Sequence, residues 1–338
     1  MMKMEEDDVI DYSHLAEKSL AGTALSREEA LAVLQCDDSQ LPVLLQAALT
    51  VRERFWGRTV KICLLQNARS GLCPEDCHYC SQSAVSTAPI TKYRLLPTEQ
   101  LLAGARKAAE AGARRYCMVT SGRGPSQRDI EHLSEAVRAI KQEFPDLEIC
   151  LSLGLMSEPQ ARDLKAAGVG WINHNLNTSR QFYPQICTTH TYDDRVETVR
   201  NVKRAGLSTC SGGIIGMGEH DDDILDLAYA TRALEIDSIP VNFLYPITGT
   251  PLGERRDFVP TKGLKTLCLM RFLNPRSEVR MAAGRELYLG SWGGLALYPA
   301  NSIFVEGYLT TPGQQAQAAR KLVEDAGFTV QETNTALE

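Results

Sequence analysis

From about residue 59 to residue 330, short apolar or β-branched runs alternate with amphipathic helical segments, and this pattern limits the fold more than any other feature of the sequence. The predicted strands are Val60–Leu65, Arg115–Thr120, Leu147–Leu153, Gly170–Asn175, Ser208–Ile215, Ser238–Leu244, Val279–Ala283 and Ser302–Val305. Between them lie predicted helices, among them Thr98–Ala111, Ile130–Phe144, Glu158–Ala167, Tyr192–Ala205 and Asp222–Leu234. Ser157 followed by Pro159 and Gln160, and Thr191 followed by Asp194, are helix start signals. Gly112, Gly168 and Gly206 are stop signals. Alternating β and α segments give parallel strands with helices outside. About eight such units fit an α/β fold of the TIM-type (β/α)8 barrel class. Sequence order does not fix closure, so a doubly wound open sheet stays as the alternative. Residues 1–58 read as a helical N-terminal extension, with the form of a capping box at Ser26–Glu29 and a second helix from Leu41 to Trp56. Residues 59–330 read as one catalytic barrel and 331–338 as a polar, flexible tail.

Composition narrows the function. Hydrophobic residues at 43% and charged residues at 23% suit a globular protein with an ample core. A net charge of −6 argues against a nucleic-acid surface. No apolar run is long enough to span a membrane. The acidic start leads into no apolar signal region, so a cytoplasmic protein is expected. In that compartment ten cysteines point to metal or redox chemistry rather than disulfides.

The segment C-P-E-D-C-H-Y-C sets Cys73, Cys77 and Cys80 within eight residues. A structural zinc site takes four ligands, commonly as two separated pairs, and no second pair follows at such spacing. Completion by His78 would make the zinc reading work. Three thiolates instead suit three irons of a cubane cluster, leaving one iron for substrate. The spacing, with Tyr79 before the last cysteine, resembles that of the radical S-adenosylmethionine (SAM) enzymes. The resemblance implies a [4Fe-4S] cluster whose open iron chelates SAM and cleaves it to a 5′-deoxyadenosyl radical.

Further along, strands expected to be packed with branched apolar side chains carry sulfur and polar groups instead. Cys117, Cys150 and Cys210 fall in the middles of three strands, and alternation in phase would turn all three into one cavity. Either a second metal cluster or plain core filling accounts for them. Arg280 is a strand arginine that needs an anionic partner if it points inward, the alternative being a surface ion pair. Cys36, Cys63 and Cys268 read as buried small hydrophobes. Asn173, Asn175 and Asn177 alternate, so on a strand they share one face, a set of amides suited to a ribose or a cyclic urea. His174, of opposite parity, receives no role. The glycine-rich run Ser211–Glu219 follows a strand and would let backbone N–H groups approach a ligand.

In combination these stretches resemble the biotin synthase family, through C-P-E-D-C-H-Y-C, L-E-I-C-L-S-L-G, N-H-N-L-N-T-S, T-T-H-T-Y-D-D-R, C-S-G-G-I-I-G-M-G-E, V-R-M-A-A-G-R-E and A-N-S-I-F. The resemblance covers nearly the whole chain after about residue 40. It implies radical-SAM conversion of dethiobiotin to biotin by a sulfur-inserting transferase. Cys73, Cys77 and Cys80 would hold the [4Fe-4S] cluster. Cys117, Cys150, Cys210 and Arg280 would hold an auxiliary cluster, [2Fe-2S] or larger, that supplies the sulfur. Tyr79, Asn173, Asn175, Asn177, Arg195, Gly212, Gly213, Ile214, Gly216, Glu219 and Asn242 would bind SAM or substrate, with Arg115 near the auxiliary cluster. A flavodoxin- or ferredoxin-type reductant and a homodimer are also implied. Two departures stand out: Asn177 replaces a common Asp, and Cys187 is an extra thiol, a possible additional auxiliary ligand or a replacement for Arg280. The competing readings are a related barrel enzyme of the methylornithine synthase or hydrogenase maturase type, and a non-enzymatic iron–sulfur electron carrier.

Overall fold

The computed structural model describes residues 10–257 and 259–331, so the expected flexible tail lies, from residue 332 on, outside the described residues. Three helices lead the chain: α1 (Tyr12–Leu20), α2 (Arg27–Gln35) and α3 (Leu41–Trp56). The alternating part then runs β1 (Thr59–Arg69), α4 (Thr98–Glu110), β2 (Arg115–Thr120), α5 (Gln127–Glu143), β3 (Glu148–Ser152), α6 (Glu158–Ala166) and β4 (Trp171–Asn173). It continues through α7 (Tyr192–Arg204), β5 (Ser208–Cys210), β6 (Gly213–Ile215), α8 (Asp221–Ala233), β7 (Ser238–Phe243), α9 (Pro260–Leu273) and β8 (Glu278–Met281). After a short α10 (Arg285–Tyr288) come β9 (Ser302–Val305), α11 (Ala316–Asp325) and β10 (Thr329–Val330).

Every strand pair is parallel, and β9 returns to β1, pairing Lys61 with Ser302 and Leu64 with Val305. β5 and β6 both pair with β7 and form one interrupted stave, while β10 lies outside on the start of β1. Eight staves therefore close a barrel, and the open-sheet alternative falls. Helix starts follow the expected chemistry. Ser126 accepts from the Asp129 amide and Thr191 from the Asp194 amide, each in a reciprocal capping box.

The N-terminal helices close the end where the strands begin. Arg52 of α3 is fully buried and donates to the carbonyls of Thr59 and Ala300, next to the starts of β1 and β9. From α9, Arg271 reaches Pro299 and Ser277. Around them α2 packs against α8 and α9, with Arg27 paired to Asp222 and Asp226. The opposite end, where strands give way to long loops, is left for the site.

Candidate active site

Strand register decides what faces the barrel interior. Cys117 stands opposite Cys150, Asn173 opposite Cys210, and Pro240 opposite Arg280. Two residues earlier, on the same face, Arg115 pairs with Glu148 and Ser238 with Glu278. Alternation with period two thus stacks two inward layers. The lower layer is ionic. Arg115 grips Glu278 through two 3.0 Å bonds and Glu148 at 2.8 Å. Lys61 reaches Glu148 at 3.1 Å and Glu278 at 3.2 Å. Arg280 bonds Glu278 and, at 2.9 Å, Ser302, and the face of Trp171 lies 3.7 Å from the Arg115 guanidinium. Arg280 is only 1% exposed, so the surface ion pair is ruled out.

Lys61, Arg115 and Arg280 against Glu148 and Glu278 leave one positive charge in excess, in a cluster whose Arg115, Arg280 and Glu278 are fully buried. A buried charge needs a partner. The adjoining layer offers one: Arg280 approaches the Cys210 sulfur at 3.8 Å, and the Asn173 amide donates to it at 3.2 Å. Hydrogen bonding from Cys150 first, then Arg280 and Arg115, brings the Cys210 thiol down to about 5, which favours thiolate. Cys150 moves the opposite way, held up by Cys117, Cys210 and burial. Cys63 stands opposite Arg115 and belongs to one apolar cluster with Cys117, Cys150 and Phe304, and its thiol lies 3.6 Å from Ser302. Fully buried, Cys63 fills the wall as the small hydrophobe that the sequence suggested.

Above the thiols opens a chamber of about 340 Å³. Cys117, Cys150, Cys210 and Arg280 line its base, and Cys73, Cys77 and Cys80 line its wall from the loop after β1. That loop is fastened by its own short side chains. Asp76 accepts from the Thr188 and Thr189 amides at 2.9 and 3.2 Å, and these bonds outweigh burial to hold its carboxyl well below the usual range. The His78 amide donates to Ile186 and its carbonyl accepts from Leu252. His78 therefore holds the loop through its backbone.

Between the two thiol groups stand amides. β4 ends at Asn173, so the expected ladder stops being a strand there. Asn177 takes a left-handed φ of 73°, a conformation that asparagine tolerates better than most residues. Asn173, Asn175 and Asn177 nonetheless all line the chamber. Asn177 donates to the Tyr79 hydroxyl at 2.6 Å, which ties the cysteine loop to the barrel. Arg195 is buried and bonds the Tyr183 hydroxyl and the Asn175 carbonyl. Ile214 and Asn242 also line the chamber, and Asn242 donates to the Gly213 carbonyl at 3.0 Å.

The glycine run behaves differently from expectation. A Cβ on Gly212 would lie 2.0 Å from the Pro240 carbonyl, and one on Gly213 would meet Leu227 and the Asn177 carbonyl. Protein already occupies the space that those missing side chains leave. Glu219 folds its carboxylate back onto the Gly216 and Met217 amides at 2.6 and 2.7 Å, closing the turn. Of this run only Ile214 faces the chamber.

Cys187 corrects another expectation. It sits 3.8 Å from the Cys77 sulfur and 3.4 Å from His190 Nδ1, beside the loop cysteines and away from the strand thiols. As an extra auxiliary ligand or a substitute for Arg280 it is on the wrong wall.

Comparison with known proteins decides the family. The Radical SAM superfamily model matches residues 69–228, and the Biotin and Thiamin Synthesis associated domain matches residues 240–329. A biotin synthase of Geobacillus kaustophilus is 52% identical over 317 residues, covering 94% of this chain and 95% of that protein. The biotin synthase of Rhodopirellula baltica is 50% identical over 319 residues, covering 94% and 89%. The chain belongs to the biotin synthase family. Among solved structures, methylornithine synthase superposes with a TM-score of 0.82 over 94% of this chain and 97% of that one, at 21% identity, a likeness of fold alone. The methylornithine synthase alternative is therefore not favoured.

Within a biotin synthase site, some lining groups went unread. His174 is buried with no hydrogen-bond partner for Nε2 among the described residues, and burial, with Arg195 and His190 nearby, keeps its ring neutral. Thr120 Oγ1 is likewise buried and unpartnered. His190 and Glu75 face the chamber beside Cys77, and the C-x-x-H spacing of Cys187 and His190 was their one signal in the sequence.

Proposed function

We propose that the chain inserts sulfur into dethiobiotin to form biotin, with Cys73, Cys77 and Cys80 holding a [4Fe-4S] cluster that binds SAM. Cys117, Cys150 and Cys210, with Arg280, would hold the auxiliary cluster. The donor sets fit these groups. All ten cysteines are free thiols, two sets of three open into one chamber, and two polar atoms on its wall await a partner. When bound, the first cluster supplies an electron for reductive cleavage of SAM and the second supplies the inorganic sulfur.

One observation carries the reading: loop thiols and strand thiols face a single cavity whose wall also presents Asn173, Asn175, Asn177 and Asn242. The protein's part is to bind, orient and exclude water. Asn175, Asn177 and Tyr79 would orient the SAM ribose or the substrate ureido ring, and Ile214 would pack on an apolar part of either ligand. Arg195 holds the Asn175 backbone in place. Glu278, Ser238, Ser302 and the Cys210 sulfur hold Arg280 by four side-chain contacts, so the base of the chamber is set before any ligand enters. A closed site matters because a primary carbon radical reacts with whatever C–H bond it first meets. A flavodoxin- or ferredoxin-type reductant, a homodimer and a cytoplasmic location complete the proposal. No helix among the described residues is long and apolar enough to cross a membrane.

The test is turnover. Anaerobically reconstituted protein with dithionite, SAM and dethiobiotin should yield biotin together with 5′-deoxyadenosine. SAM cleavage without biotin under these conditions would defeat the sulfur-insertion reading. A coloured protein that cleaves no SAM would mark an electron carrier instead.

A further inference from the structure

Cys77 is one of the three thiols that the family resemblance assigns to the cubane, yet it lies 3.8 Å from a sulfur outside the motif. Cys187 Sγ is 3.8 Å from Cys77 Sγ and 3.4 Å from His190 Nδ1, and all three residues are buried. Their ligand atoms lie within 4.8 Å of one another. A zinc-class ion sits about 2.3 Å from thiolate and about 2.0 Å from imidazole, so tetrahedral geometry sets S···S edges of about 3.8 Å and S···N edges of about 3.5 Å. The two measured separations match those edges.

The surroundings fit as well. Ligating histidines donate their second ring N–H to a fixed partner. Here Nε2 of His190 lies 2.9 Å from the Tyr183 hydroxyl, which Arg195 also holds. With Nδ1 committed to a metal, the Glu75 carboxylate that now bonds Nδ1 is released toward the ion. Glu75 is itself buried and positioned at 2.6 Å by Thr189. Two thiolates and an imidazole, with a fourth position open, are a zinc-type donor set.

We propose that Cys77, Cys187 and His190 form a three-ligand mononuclear site for a divalent first-row cation of the zinc class, with the fourth position left to water or to a movement of Glu75. It fills only when Cys77 is not committed to an iron–sulfur cluster. The site stands on these side chains alone; only its exclusivity rests on the reading of Cys77 as a cubane ligand. Filling it converts two thiols to thiolates with release of their protons, so occupancy rises with pH. It also withdraws one of the three loop thiols, so zinc bound there should slow cluster assembly.

Cobalt(II) is the probe, added anaerobically to the full-length, cluster-free chain. One equivalent should give a thiolate-to-cobalt charge-transfer band and the intense visible bands of four-coordinate cobalt. Cys187→Ala should remove about half of the charge-transfer intensity and weaken binding by more than the roughly 10–100-fold typical of losing a second-shell partner. Cys187→Ser and His190→Gln guard against misfolding, and each should weaken binding while the far-ultraviolet dichroism is unchanged. Cys73→Ala should leave the spectrum as in wild type. A band that survives Cys187→Ala but falls in Cys73→Ala and Cys80→Ala would place cobalt on the motif cysteines and overturn the site. Uptake at Cys187 by protein with its cubane intact would overturn the exclusivity. Failure of the chain to assemble any cubane would count against the proposed function while leaving the cobalt result to stand.

Discussion

The two thiol groups of the chamber are built in opposite ways. Cys73, Cys77 and Cys80 belong to an irregular loop in which backbone amides meet short side chains such as Asp76. Cys117, Cys150 and Cys210 belong to strands, where register alone aims them, and an ionic layer lies beneath. The loop group is compact in sequence and partly exposed, with Cys73 and Cys80 only half-buried. The strand group is dispersed over about ninety residues and wholly buried. A loop can yield to admit a large ligand, whereas a barrel wall keeps its geometry whichever ligand is bound. An entry-side group and a fixed store are what a two-stage reaction in one cavity needs.

The largest test separates the groups by activity. Cys77→Ala should abolish SAM cleavage, and with it biotin formation, while strand-borne absorption persists. Cys150→Ala should retain part of the SAM cleavage and make no biotin. Paired assays of 5′-deoxyadenosine and biotin on both variants read the contrast. Biotin formation at the wild-type rate by Cys150→Ala would erase the distinction between the two groups.

A smaller effect should appear in stability, and only on the strand side. Burial alone would raise the Glu278 carboxyl, but Arg115, Arg280 and Lys61 outweigh it and hold the group well below its usual value. Glu278→Gln leaves two buried guanidiniums short of an anion, and breaking a buried ion pair costs about 3–5 kcal/mol. The sign with pH follows from the depressed value. The contribution of Glu278 is fully present above its unfolded value of about 4.3 and is lost as pH falls through the lower folded one. Urea titrations from neutral pH downward should show wild type losing stability below that point and the variant losing less. Equal stability at neutral pH would mean that the ionic layer does not brace the strand thiols.

How much of this was legible follows the same division. The loop motif needs only spacing, so it stood out in the bare sequence, whereas the strand cysteines shared one cavity only if their alternation was in phase, and the register of the strands supplies that phase. Barrel closure was not legible, because the β1–β9 pairing joins residues some 240 positions apart. The ionic layer was missed because Lys61, Glu148 and Glu278 sit at strand starts, where charge reads as surface. Glycine after a strand suggested ligand approach at Gly212 and Gly213, but a neighbouring stave fills that space, and sequence does not separate a close backbone from a close ligand. Cys187 was assigned to the wrong wall because its loop returns over the cysteine motif, a contact made through Asp76 and two threonines.

The smallest expected effect probes the link between the two groups. Tyr79 belongs to the loop and Asn177 to the barrel, and a 2.6 Å bond from the Asn177 amide to the Tyr79 hydroxyl joins them. Tyr79→Phe keeps the ring packing and removes that acceptor. A buried donor left without its partner costs about 1–3 kcal/mol. Part of that should be recovered by rotation of the Asn177 side chain toward the chamber, so SAM binding should weaken by about 1 kcal/mol, roughly fivefold in Kd. The strand thiols are untouched, so the ratio of biotin formed to SAM cleaved at saturating SAM should equal that of wild type. Calorimetric titration of SAM into the holoprotein reads the first quantity and product analysis the second. A changed ratio would mean that the loop and the wall are coupled beyond this one bond, and an unchanged Kd would mean that the bond does not position Asn177 for SAM.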